Sequence, residues 1–294
     1  MTPTPVSFSQ GARLVGRLFG PAGRATGPGV LVTGSWLTVK EQMPAVYAAR
    51  LAEAGFTALT FDFRGFGESD GPARDVESAA AKVEDLRSAA AFLAGWPGVE
   101  GRVAALGICA SAGYLAQAVT GDPAVRTVAM VAPWLHDAAL VREIYGGEAG
   151  VAERLKAARA ARAHHARTGE VRHVPAASAT DATAAMYWPG DALDYYLNPR
   201  RGAVPQWSNR FAVMAWTEWL GFDPVALAPQ VKVPVRLITG PGTATPGGAA
   251  RFAAGLTVPH DVVSLPGTQF HFYDDPATVT AATAAAVAHL RATL

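Results

Sequence analysis

Apolar and polar positions alternate along the chain in two rhythms. Residues 6–9 and 14–19 flank Gln10-Gly11 and predict an antiparallel hairpin. Residues 29–33 (GVLVT) form a short continuous apolar run, the pattern of a strand buried on both faces. Met43, Val46, Tyr47, Arg50, Leu51 and Ala54 then recur at helical spacing, with Pro44 where a first turn tolerates it and Gly55 to close the helix. The alternation continues with a strand at 57–61, a helix through Val83, Leu86, Ala90 and Leu93, a strand at 102–107, a small-residue helix at 111–120 and a strand at 125–132. Such an order predicts a mostly parallel sheet with helices on both faces.

The rhythm breaks between about residues 136 and 229. This stretch carries a long Ala- and Arg-rich helical segment at 151–168, then nine aromatic residues between 187 and 222. The alternation resumes with a strand at 233–239, a helix at 247–254, a strand at 261–265 and a closing helix at 278–293. We read residues 1–135 and 230–294 as one α/β core, and 136–229 as a helical insertion after the sixth strand. Its aromatics serve partly as its own core and partly as a lining for a bound group; Tyr187, Tyr195, Tyr196, Trp207 and Trp134, at the entry to the insertion, are the candidates for the lining.

Composition narrows the function. The chain has 294 residues, is half apolar and has 25 basic against 24 acidic side chains. That balance fits a globular protein and leaves no electrostatic footprint for nucleic acid or an anionic membrane. A single cysteine excludes an internal disulfide framework and a multi-cysteine metal site. The first residues lack a basic segment followed by an apolar one, and no apolar run reaches membrane-spanning length, so the expected location is the cytoplasm. There is no P-loop and no complete dinucleotide fingerprint, and His164-His165 lacks the spacing to hold a metal on one helical face. The expectation is no cofactor, a small-molecule substrate, and a monomer or homodimer.

The most informative segment is Leu106-Gly107-Ile108-Cys109-Ala110-Ser111-Ala112-Gly113. A buried strand passes into a small-residue helix with almost no loop, which places one side chain in a strained turn above the sheet. The apolar run ends at Leu106-Gly107, so the tip falls on Cys109, with Ser111 packed beneath it. A helix N-terminus under a thiol favours its anion and a developing oxyanion. The alternative is a buried structural cysteine.

With these residues the chain resembles the α/β-hydrolase superfamily, in particular its dienelactone-hydrolase-like branch, which carries a G-x-C-x-G elbow. Thr33-Gly34-Ser35-Trp36 falls where the family places its oxyanion loop, and Phe61-Asp62-Phe63-Arg64-Gly65-Phe66-Gly67-Glu68-Ser69 is similar to its D-x-R-G-x-G-x-S segment. The resemblance covers nearly the whole chain. It implies an α/β-hydrolase fold: a mostly parallel eight-stranded sheet flanked by helices, with an α-helical lid after strand 6. Cys109 is then the nucleophile, the Ala110 amide one oxyanion donor, and Ser35 or Trp36 the other.

The base and acid leave alternatives. His271 lies in the loop that delivers the family histidine, yet alignment on Tyr273-Asp274 puts that histidine on Gln269. The loop after residue 239 has no carboxylate, and Ala244 aligns with the family aspartate. Asp137 is the remaining acid, or else a helix cap, and His136 is an alternative base. Three readings follow. The first is a cysteine hydrolase of an ester, lactone or thioester with a hydrophobic or aromatic acyl part. The second is a non-hydrolytic enzyme of the same fold: an acyltransferase, cyclase, isomerase or lyase. The third is a ligand-binding protein without chemistry.

Overall fold

A computed structural model of the chain describes residues 2–9, 11–20, 27–99, 101–121 and 124–294. One eight-stranded sheet runs through it. Its strands are β1 (Thr4–Ser9), β2 (Arg13–Phe19), β3 (Gly29–Thr33), β4 (Thr57–Phe61), β5 (Val103–Ile108), β6 (Val125–Val131), β7 (Val235–Thr239) and β8 (His260–Ser264). In space they lie in the order β1-β2-β4-β3-β5-β6-β7-β8. The first hairpin is antiparallel, with Phe8 opposite Leu14, and β2 pairs antiparallel with β4. From β4 onward every pairing is parallel. Gln10, at the expected hairpin turn, lies outside the described residues.

Every residue of β3, β4 and β5 is buried, which is why these strands read as unbroken apolar runs. Helices α1 (Met43–Glu53), α2 (Ala79–Ala94), α3 (Ala110–Ala118), α4 (Ala138–Ile144), α5 (Gly147–Thr168), α6 (Trp216–Gly221), α7 (Pro246–Gly255) and α8 (Pro276–Thr293) accompany the sheet and the insertion. Sequence signals locate several ends. Pro44 sits in the first turn of α1, Ser78 caps α2 by accepting from the Ala81 amide, and Asp275 caps α8 by accepting from Thr278. Within the central parallel strands the chain passes first from β3 to β4 and then back to β5 on the other side. This reversal makes the carboxyl ends of β3 and β5 the switch point of the sheet, where open α/β sheets bind their ligands.

The insertion between β6 and β7 is not purely helical. Arg210–Ala212 pairs with His173–Pro175, and Ala177–Ser178 pairs with Met186–Tyr187. The long helix α5 begins at Gly147 rather than Val151 and buries only Ala158 and Ala161, so its basic side chains form a solvated face as their density suggests. Asp75 ties the insertion to the core: its buried carboxylate accepts from Ser208 at 2.6 Å and pairs with Arg210 at 2.9 Å. Among the described residues no helix is long and apolar enough to cross a membrane.

Candidate active site

Cys109 stands between β5 and α3 with φ 57° and ψ −119°. A non-glycine residue in this left-handed region costs on the order of 1–3 kcal/mol and persists only where its surroundings impose it. They do so here by close packing. A Cβ on Gly107 would lie 2.7 Å from a Leu115 methyl and 3.0 Å from the Ala112 amide. Cys109 therefore tops the turn, while Ser111 lies buried beneath it and donates to the Gly34 carbonyl.

Four polar groups border the Cys109 thiol and favour its anion: the backbone amides of Ala110 and Trp36 and the hydroxyls of Ser35 and Tyr273. The two amides come from the switch point, one after β5 and one after β3. Burial pushes the thiol up from its ordinary pKa; the four donors oppose this but do not overcome it. Cys109 is 4% exposed and rests as a thiol in a closed, donor-rich cradle.

The cradle is braced from below. The loop carrying Ser35 and Trp36 ends at Lys40, whose backbone amide donates to Asp62 Oδ1 at 2.8 Å. Lys40 Nζ is 1% exposed and donates to Asp62 Oδ2 at 2.7 Å and Glu68 at 2.6 Å. Burial lowers the ammonium's pKa, but the carboxylates around it outweigh that effect and hold it raised. In the sequence Asp62 stands in the D-x-R-G-x-G-x-S segment and Lys40 lies 22 positions before it. The structure joins them into one buried ion cluster under the oxyanion loop, and α1 starts only at Met43.

Above the thiol lies a network of hydroxyls. Ser35 Oγ is 2.8 Å from Tyr196 Oη and accepts from Tyr273 Oη at 3.2 Å. Gln269 Nε2 donates to Tyr273 Oη at 3.0 Å and to the Ala132 carbonyl at 2.9 Å. Gln269 Oε1 accepts from the Ala244 amide at 2.9 Å. Burial raises the phenol of Tyr273 well above its usual value and also raises that of Tyr196, so both stay protonated. Tyr273 is the residue that reading the sequence missed as a participant; its only signal was its place in the Tyr273-Asp274 pair.

The other expected residues are dispersed. His271 opens a short helix, His271–Asp274, and is exposed; its Nδ1 accepts from the Thr268 amide at 2.9 Å. Gly267, at φ 116°, turns the chain so that Gln269 points inward and His271, two residues on, faces solvent. His136 is buried behind the oxyanion loop: its Nδ1 accepts from Trp134 Nε1 at 2.9 Å, its Nε2 lies 3.2 Å from the Trp219 carbonyl, and its ring packs 4.7 Å from that of Trp219. Burial holds its pKa down, so it sits there neutral. Asp137 caps α4 and pairs with Arg251 at 2.7 Å. Thus, among the described residues, no imidazole reaches Cys109, and the structure does not assemble His271, His136 or Asp137 with it.

Of the aromatic candidates, Tyr196 reaches the network. Trp207 packs on Tyr196 and donates to the Leu37 carbonyl at 2.7 Å. Tyr195 packs against Phe270 and Tyr273. Trp134 is half-buried beside His136. Tyr187 is 42% exposed and lies outside this layer. Trp219 and Trp216 pack their rings around Trp36. Among the described residues no group of three His, Cys, Asp or Glu side chains could hold a metal.

Comparison with known proteins places this architecture. Residues 10–240 match the family described as X-Pro dipeptidyl-peptidase (S15 family). The chain belongs to the X-Pro dipeptidyl-peptidase (S15) family. The structure is similar to the crystal structure of the hypothetical protein PA2218 from Pseudomonas aeruginosa, with TM-score 0.83 and 23% identity over 99% of this chain and 94% of that one. In sequence, PA2218 is 28% identical over 255 residues, 82% of this chain and 66% of its own length. The uncharacterised protein YcjY of Escherichia coli K12 is 30% identical over 166 residues, 55% of this chain and 54% of its own length. The polyketide transferase claH of Penicillium crustosum is 35% identical over 127 residues, 42% of this chain and 41% of its own length. The chain thus spans about half to two thirds of the first two curated relatives and less of the third. Its S15 membership and its structural neighbours establish a hydrolase-type α/β fold. A shared fold leaves the reaction open.

Proposed function

We propose that this chain moves an acyl group by way of Cys109, from a small-molecule ester or thioester with a hydrophobic acyl part to an acceptor other than water. One observation carries this reading. The two loops from which the family resemblance draws a base and its acid bring Gln269 and Ala244 to the site, linked by an amide hydrogen bond. A carboxamide cannot take a proton from water at neutral pH. An acyl group on Cys109 would wait, shielded, for a better nucleophile. The amides of Ala110 and Trp36 would hold the carbonyl oxygen as it becomes an oxyanion. Tyr195, Tyr196 and Trp207 would face the acyl part. The cysteine elbow keeps the dienelactone-hydrolase-like branch within this proposal, and the names of the relatives divide between a polyketide transferase and two thiohydrolases.

The test is the intact mass of the protein after incubation with an aromatic acyl thioester, beside Cys109→Ala. The expected result is one acyl adduct that persists in buffer, clears on addition of an amine or thiol, and is absent from the variant. Prompt clearance in buffer alone would overturn the transfer reading in favour of hydrolysis. No adduct would overturn the covalent role of Cys109.

A further inference from the structure

The hydroxyl network has a direction, and the direction is set by Gln269. Its Oε1 faces an N–H, that of Ala244, and its Nε2 faces a carbonyl, that of Ala132. Only one orientation of the carboxamide satisfies both partners. Both hydrogens on Nε2 are then committed, one to the Ala132 carbonyl and one to Tyr273 Oη. Tyr273 accepts from Gln269, so its own proton points onward. The groups in front of it are Ser35 Oγ at 3.2 Å and Cys109 Sγ. Ser35 in turn meets Tyr196, a residue of the insertion, at 2.8 Å. Gln269 thereby orients a proton donor beside the thiol.

We infer that Tyr273 is the proton-transfer residue of acyl exchange at Cys109, donating to the departing group of the acyl donor while the thiol proton is passed on to replace its own. The inference rests on the acyl-transfer reading above. In the step, Sγ attacks the acyl carbon and forms the new C–S bond. The bond from that carbon to the leaving group X breaks. The proton of Tyr273 goes to X, and the proton of Cys109 reaches Tyr273 directly or through Ser35. The sum is acyl–X plus thiol giving acyl–S plus H–X, and Tyr273 ends protonated as it began. No base is consumed, so the site works without an imidazole. The acceptor discharges the acyl group by the same step in reverse. Gln269 is a positioning residue: it touches neither X nor the acyl carbon, but keeps the Tyr273 proton turned away from its own Nε2 and toward Ser35 and Cys109.

Proton donation matters most when X leaves poorly. The experiment therefore measures the rate of Cys109 acylation, by intact mass, with two donors sharing one aromatic acyl group: an alkyl thioester and a p-nitrophenyl ester. Tyr273→Phe is expected to slow the alkyl thioester by on the order of 100-fold, the scale of one proton-transferring side chain, and to slow the nitrophenyl ester by less than about 3-fold, since nitrophenolate needs no proton to leave. Gln269→Leu is expected to show the same bias at smaller size. It also serves as the second variant should Tyr273→Phe fail to fold. Equal slowing with both donors, or none, would overturn the relay while leaving the acyl-transfer reading intact, because a purely structural role cannot sense the leaving group. Failure of the wild-type chain to form an adduct with either donor would overturn both.

Discussion

The Ala244 amide donates to Gln269 Oε1 at 2.9 Å, joining the loop after β7 to the loop after β8 beside the cradle of Cys109. A second backbone bond, Gln269 N–H to the Gly242 carbonyl at 3.1 Å, holds the same two loops together. The loops keep the convergence that would serve an acid and a base, but the two residues that meet there, Ala244 and Gln269, are neither. This pairing offers a direct way to change the chemistry.

Replacing the pair by Gln269→His with Ala244→Asp supplies an imidazole and a carboxylate across that contact. The double variant is expected to clear its acyl-Cys109 adduct in buffer at least about 100-fold faster than wild type, the typical scale of general base catalysis. Gln269→His alone should gain less, since nothing orients the ring. Adduct lifetime, followed by intact mass, is the measurement. A double variant with wild-type lifetime would show that these positions do not address the bound acyl group.

The thiol should report its cradle through pH. Burial holds the Cys109 pKa above the ordinary thiol value, so less of it is thiolate at neutral pH than of a free cysteine. Its alkylation by iodoacetamide should rise with pH without levelling at or below the usual thiol value of about 8.5. Ser35→Ala removes a donor that favours the anion and should move the profile further toward high pH. A plateau near neutrality would show a pre-formed thiolate and contradict the balance of burial over hydrogen bonding.

Lys40 and Asp62 should behave as a unit. Both side chains are fully buried, and Lys40→Met would leave the Asp62 carboxylate charged and without its cation. Breaking a buried pair from one side costs about 3–5 kcal/mol. Chemical denaturation should show a loss of that size for Lys40→Met and a smaller one for Lys40→Met with Asp62→Leu, where the fully buried carboxylate is gone, Glu41 keeps Arg17 and Glu68 keeps solvent. The single variant should also slow Cys109 acylation, because the Lys40 amide and the Trp36 amide share one loop. A loss below about 1 kcal/mol would mean that solvent reaches the site and screens Asp62.

How much of this was legible in the chain depends on the range of the interaction. Strand and helix order is set by neighbours a few positions apart. The buried runs at 29–33 and 57–61 therefore show in the sequence as they stand in the fold, and the run read at 102–107 stands one residue on, at 103–108, leading into the tight turn at Cys109. The alignment that put a histidine position on Gln269 and an aspartate position on Ala244 was local as well, and the two residues meet in space. What could not be read was which side chains meet across the sheet. Ser35 and Tyr196 are 161 positions apart and Ser35 and Tyr273 are 238 apart, yet three hydroxyls and one sulfur share a single site. Such encounters depend on how loops cross the switch point. A two-residue difference within one loop sends Gln269 inward and His271 to solvent. The aromatic insertion shows the same limit. Its composition announces a layer, but only the packed structure separates Tyr196, which meets Ser35 in the hydroxyl network, from Tyr187 at the surface. Residue type and short-range spacing determine where the chain turns and which residue tops the elbow; the long-range closure of loops, driven by burial and completed by hydrogen bonds, decides what surrounds it.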